Sequence, residues 1–184
     1  KSIYTTGGSK DDLDINIGTP PNFTTNNWMW TDGSVPDADD ITDGSEFDAV
    51  NAAFQSWKDV PECDARFSSL AAVDMDTSDI YNDGPLPGRD RKNLLAWVEQ
   101  DWIEGPALIA LTYTYFVEQT GKILEDDIVM NGVDYDWTTD DTIVQTDVES
   151  IAAHEIGHAY GLGHSLDPEA TMFATSSQGE TKKR

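Results

Sequence analysis

The sequence predicts an α+β domain, and three observations carry that expectation. An apolar stripe with helical spacing runs through residues 45–60, and Pro61 stops it. Short runs rich in β-branched and aromatic residues follow, the strongest at 107–117 (ALIALTYTYFV). A second helix then begins near Thr146 and carries two of the three histidines of the chain, the third lying just beyond it.

Taken in order, residues 1–44 are rich in Gly, Thr, Asn, Asp and Pro (TTGGSKDD, GTPPNFTTNN) and read as an extended loop segment with no clear strand. Trp28, Met29 and Trp30 are expected to pin it to the domain that occupies 45–184. In the first helix Ser45 and Asp48 have the spacing of a capping box, and Phe47, Val50, Phe54 and Trp57 share the core face. Strands are expected at 66–73 and at 93–98 (NLLAWV). The loop between them holds Asp74, Asp76, Asp79 and Asp83, and closely spaced carboxylates on irregular backbone suit the many-oxygen shell of calcium. No EF-hand pattern is present, so a solvated acidic loop is the plain alternative. After the strand at 107–117 comes another at 122–131 (KILEDDIVMN), then a second acidic loop whose Asp134 and Asp136 are further calcium candidates. Thr146 is expected to cap the second helix, with Glu149 at the capping-box position. Val148, Ile151, Ala152 and Ile156 then face the core, and Leu162 packs under the turn that follows.

A chain of 184 residues fits one domain with a real core. Eleven Lys and Arg against 35 Asp and Glu leave a net charge of −24, which makes nucleic acid and anionic membrane surfaces poor partners. Such acidity fits a surface adapted to high salt, several calcium sites, or simple solubilising charge. No run of eighteen apolar residues exists to insert into a membrane. Cys63 is the single cysteine, so no disulfide forms within the chain. An inert, partly buried thiol is the favoured reading, ahead of a metal cap or a bridge to another chain.

The densest chemical signal is His154, Glu155, His158, Gly161 and His164, spelling H-E-x-x-H-x-x-G-x-x-H. Histidines four apart stack on one face of a helix, close enough to grip one ion. Glu155 points to the side of that face, where it can hold a water at the open metal position. Gly161 can take positive φ, end the helix and bring His164 round as a third ligand. Three imidazoles plus one open position is the composition of a catalytic zinc site.

With Met172 shortly downstream, this motif resembles the metzincin clan of zinc endopeptidases, and Ser165 after the third histidine is similar to the matrixin family, microbial type. The resemblance runs over about residues 45–178. It implies an α+β fold of the α/β-type metzincin kind: a twisted, mostly parallel sheet with an antiparallel edge strand, a backing helix, an active-site helix and a small C-terminal subdomain. Met172 would be its Met-turn residue, and the family's usual C-terminal helix has no counterpart in the sequence. Zinc would be held by His154, His158 and His164, with Glu155 as general base. The edge strand near Ala110, Leu111, Thr112 and Tyr113 would pair with the backbone of a peptide or protein substrate. Tyr160 and Phe173 would shape the specificity pocket. The implied protein is a secreted, extracellular endopeptidase; the alternative is a non-catalytic or latent binding or structural module on the same scaffold.

Overall fold

The computed structural model describes residues 27–31, 40–61, 68–73 and 93–184. In chain order the elements are β1 (Asn27–Thr31), α1 (Ser45–Lys58), β2 (Ser68–Val73), β3 (Asn93–Val98), β4 (Ala110–Val117), β5 (Lys122–Asn131), β6 (Trp137–Thr138), β7 (Thr146–Asp147) and α2 (Val148–Ala159). Five strands form one sheet in the order β2-β1-β3-β5-β4, while β6 and β7 make a small parallel pair. Every neighbour in the large sheet is parallel except β4, which runs antiparallel to β5. The expected α+β class and mixed sheet are therefore present.

Position in the sheet explains the sequence of each strand. All six residues of β3 are buried, as an apolar run in a central parallel strand requires. Along β4 every residue after Ala110 stays half-exposed, because among the described residues this strand has a partner on one side only. A register shift between Tyr115 and Phe116 bends its far end. Side chains stitch β3 to β5: Asp126 N donates to Asn93 Oδ1 at 2.8 Å and Leu94 N to Asp127 Oδ1 at 3.1 Å.

The strandless reading of 1–44 is corrected at Asn27–Thr31. This stretch is an interior strand, parallel to β2 on one side and β3 on the other. A five-residue strand of this kind lacks the alternation that marks a half-buried one, and its loop-like flanks hide it. The role expected for the side chains of Trp28, Met29 and Trp30 lies outside the described residues, as do Asp74, Asp76, Asp79, Asp83 and Cys63.

Both expected helix caps move. At α1 the cap is Gly44, with φ 77°, and no side chain caps the first turn. Ser45 N instead donates to Asp43 Oδ1 at 3.1 Å, and the Ser45 hydroxyl bonds the Thr139 hydroxyl at 2.5 Å. At α2 the cap is Asp147, whose carboxylate accepts from Ser150 N at 2.8 Å, and not Thr146. A carboxylate complements the positive end of the helix better than a hydroxyl does. Thr146 is occupied in β7, where its N–H donates to Asp136 O at 2.9 Å. Arg184 reaches the same cap, 2.6 Å from Asp147 Oδ1, and also pairs with Asp141.

One core joins both helices to the sheet. Val50 and Phe54 of α1 pack with Ile151 and Ile156 of α2 and with Ile128 and Met130 of β5. Trp97 meets Trp137 edge to face, ring centroids 5.8 Å apart, and Trp137 Nε1 donates to Asn131 O at 2.9 Å. Phe47 and Trp57 lie half-buried against this core, and Trp57 Nε1 ties α1 to α2 by donating to Ala153 O at 2.8 Å.

The interior also encloses Asp126 of β5. It is 1% exposed, and neither carboxylate oxygen has a well-formed hydrogen bond among the described residues. Burial raises its pKa well above the ordinary 3.8; the hydroxyl of Thr114, opposite it on β4, offsets part of this, while Asp127 and Glu125 add to it.

Candidate metal centre

The centre is built on α2 and the turn that ends it. Gly161, with φ 84°, sits just past the helix, where Gly161 N donates to His158 O at 2.8 Å and Leu162 N to Gly157 O at 3.0 Å. These two bonds are a Schellman motif, which glycine adopts without the steric cost a side chain brings. The reversal carries His164 back over the helix. His158 Nε2 then lies 3.1 Å from His154 Nε2 and 3.2 Å from His164 Nε2.

For His154 and His158 the other ring nitrogen explains why Nε2 is free to bind. His154 Nδ1 is 2.8 Å from Thr171 O, and His158 Nδ1 is 2.8 Å from Leu162 O. A carbonyl oxygen only accepts, so each Nδ1 carries the proton and each Nε2 turns a lone pair inward. Burial pushes the His154 pKa down to about 4, and His158 and His164 beside it act in the same direction; the Thr171 carbonyl opposes them. Burial likewise lowers His158. Neutral imidazoles are the form that binds a metal. Among the described residues, these histidines are the group of three or more whose ligand atoms come together, within 4.8 Å of one another. The donor set fits zinc.

Glu155, 6% exposed, leans from the same helix towards β4. Thr112 presents its hydroxyl to this residue, with Oγ1 2.7 Å from Glu155 Oε2 and 3.0 Å from Glu155 O. Burial raises the Glu155 pKa to about 7, and the Thr112 hydroxyl restrains the rise.

Beneath the helix lies Met172, 7% exposed. A Cβ at Gly157 would run into Met172 Sδ and the Trp57 ring, so glycine there lets the thioether pack against the helix between His154 and His158. Ser165 N donates to Met172 O at 2.7 Å, which ties the segment after His164 to this floor.

A cavity of about 520 Å³ opens beside the histidines. Ala110, Leu111 and Thr112 line it, whereas Tyr113 does not; its hydroxyl bonds Glu104 Oε1 at 2.5 Å. Phe173 lines the cavity, and Tyr160 is buried behind the helix against Trp57. Asp134 and Asp136 stay on an exposed loop, where Asp134 Oδ2 accepts from Asn131 Nδ2 at 3.1 Å. Sequence reasoning missed two residues here. Lys183 is buried in the cavity wall although it belongs to a run of charges, and the Thr112 hydroxyl serves Glu155 in addition to any role of its backbone. No local signal marks either.

Residues 104–184, which contain the whole histidine motif, match the matrixin family. Among curated proteins the chain is similar to three metalloendoproteinases of Arabidopsis thaliana. It is 40% identical to 4-MMP over 33% of this chain and 17% of that protein, and 56% identical to 5-MMP over 20% and 10%. It is 46% identical to 1-MMP over 26% of this chain and 14% of that protein. The chain thus spans less than a fifth of each relative's length. These relatives are plant proteins and lend no support to a microbial type.

Proposed function

We propose that this chain is a zinc-dependent endopeptidase of the matrixin kind acting on protein substrates, a reading supported by the family match over residues 104–184. One observation carries the reading: three imidazole Nε2 atoms converge beside a buried carboxylate on the wall of a single cavity. His154, His158 and His164 would hold the ion and leave a fourth position open. When bound, zinc supplies a Lewis acid that polarises the scissile carbonyl and makes water a better nucleophile near neutral pH.

Glu155 acts as the general base. It takes a proton from the attacking water and returns it to the leaving amine, the two transfers that a carboxylate positioned beside the open metal position can perform. The Thr112 hydroxyl keeps one Glu155 oxygen fixed, leaving the other for the proton. This chemistry uses no serine or cysteine nucleophile, so no acyl-enzyme forms. The outer edge of β4, which has no strand beside it among the described residues, offers backbone groups from Ala110 to Tyr113 to an extended peptide. Met172 serves as the Met-turn residue by cushioning the helix that carries two of the ligands.

Secretion follows from the family reading, and no described helix is long and apolar enough to cross a membrane. Calcium at the acidic loops stays a sequence-based expectation, tested by adding and withdrawing calcium in the assay below. The assay is cleavage of an unstructured protein such as casein, with and without a zinc chelator. Cleavage that the chelator abolishes and added zinc restores supports the endopeptidase. A zinc-loaded protein that cuts nothing, at low or high salt, points to the non-catalytic or latent module.

A further inference from the structure

The cavity beside the histidines has an uneven charge. Its lining is mostly apolar or neutral, Phe116, Ile123 and Ile151 among it. Among the described residues, Glu155 is the only Asp or Glu in that lining, and Lys183 the only Lys or Arg. Lys183 is 7% exposed. Its Nζ donates to Thr175 O at 2.8 Å and sits 5.1 Å from the centroid of the Phe173 ring. An ammonium has three N–H donors, and these contacts use one of them on a neutral oxygen. Among the described residues no carboxylate pairs with it.

Burying a cation without an anion is costly, and the cost falls when an anion arrives. Here the space in front of the ammonium is the cavity that also holds the metal-binding atoms. We propose that Lys183 makes this endopeptidase select substrates with an acidic side chain, Asp or Glu, close to the scissile bond. The inference rests on the proposed peptidase reading and adds its substrate class. The Phe173 ring and the Thr175 carbonyl hold Lys183 in place, so a substrate carboxylate meets a cation whose side chain is already ordered. A charge-assisted hydrogen bond in such a site favours Glu over the isosteric Gln by about tenfold or more.

The test uses matched peptides that differ by Glu, Gln or Leu at each position flanking the scissile bond. Cleavage is measured with the zinc-loaded wild type. Binding is measured by calorimetry on Glu155→Gln, which holds peptide without turning it over. The expected result is a Glu preference at one flanking position in both measurements. It is retained in Lys183→Arg, lost in Lys183→Met, and turned towards Lys-containing peptides in Lys183→Glu. Equal handling of Glu and Gln by the wild type overturns the inference, whatever the variants do, and leaves the peptidase standing. A preference that survives in a folded Lys183→Met also overturns it. Selective binding of the Glu peptide without any cleavage by the wild type sinks the peptidase reading and keeps the acid-selective site.

Discussion

Two buried carboxylates, Glu155 and Asp126, face two threonines of the same strand, Thr112 and Thr114. Both are nearly inaccessible, and burial raises the pKa of both. Their surroundings differ in two respects. Glu155 borders the cavity and accepts a hydroxyl at 2.7 Å, whereas Asp126 is sealed in the sheet with neither oxygen well bonded among the described residues. Burial alone therefore does not make a catalytic group. Access to the cavity and one fixed hydrogen bond separate the carboxylate proposed to carry the proton from one that only burdens the fold.

The largest expected effect lies on the accessible side. Glu155→Gln keeps the side chain's shape but removes its basicity, so kcat falls by about a hundred- to ten-thousand-fold. Zinc content measured by atomic absorption stays at the wild-type level, because Glu155 is not among the three ligands. Near-wild-type turnover in this variant would sink the role assigned to Glu155.

The sealed carboxylate predicts a stability effect with a definite sign. A carboxyl whose folded pKa is raised loses its proton more readily when unfolded. Below its ordinary 3.8 both states are protonated and the group costs nothing; as the pH climbs above that value, stability is lost until the folded pKa is passed. Asp126→Asn removes that loss. The variant's advantage over wild type should grow from pH 4 towards pH 8 and reach about 1–3 kcal/mol in denaturant melts. A difference that does not change with pH would mean Asp126 is ionised in the fold and has a partner.

A smaller change narrows the contrast between the two sites. Thr112→Val strips the hydroxyl from Glu155 and leaves it nearer the state of Asp126. The expected cost in kcat is about tenfold, with KM little changed, and Thr112→Ser should recover most of it. Equal losses in the Val and Ser variants would assign the effect to strand packing instead.

What could be read in the sequence follows from how local its cause is. The histidine spacing, Gly161 and His164 fall within one helix end, so their geometry follows from helix periodicity and one left-handed residue. The core faces of both helices are legible for the same reason. Thr112 lies 43 positions from Glu155, and their meeting depends on how β4 docks against α2. The cap of α2 slipped by one residue because Thr146 is claimed by pairing with Trp137, which no capping rule contains. Asn27–Thr31 is hidden by its brevity, and its strand identity appears only with β2 and β3 on either side.

The turn at Gly161 couples metal affinity to the unravelling of a helix end. Its hydrogen bonds close α2, its next residue supplies the carbonyl that orients His158, and its reversal delivers His164. An ion bound by all three rings therefore also resists fraying of the last helical turn, and a frayed turn releases two of three ligands together. Gly161→Ala, which forces a side chain into positive φ at about 1 kcal/mol, should lower zinc affinity and the melting temperature of the metal-free protein together. Zinc loss would then be a cooperative local unfolding event, with a dissociation rate that follows the opening of the helix end.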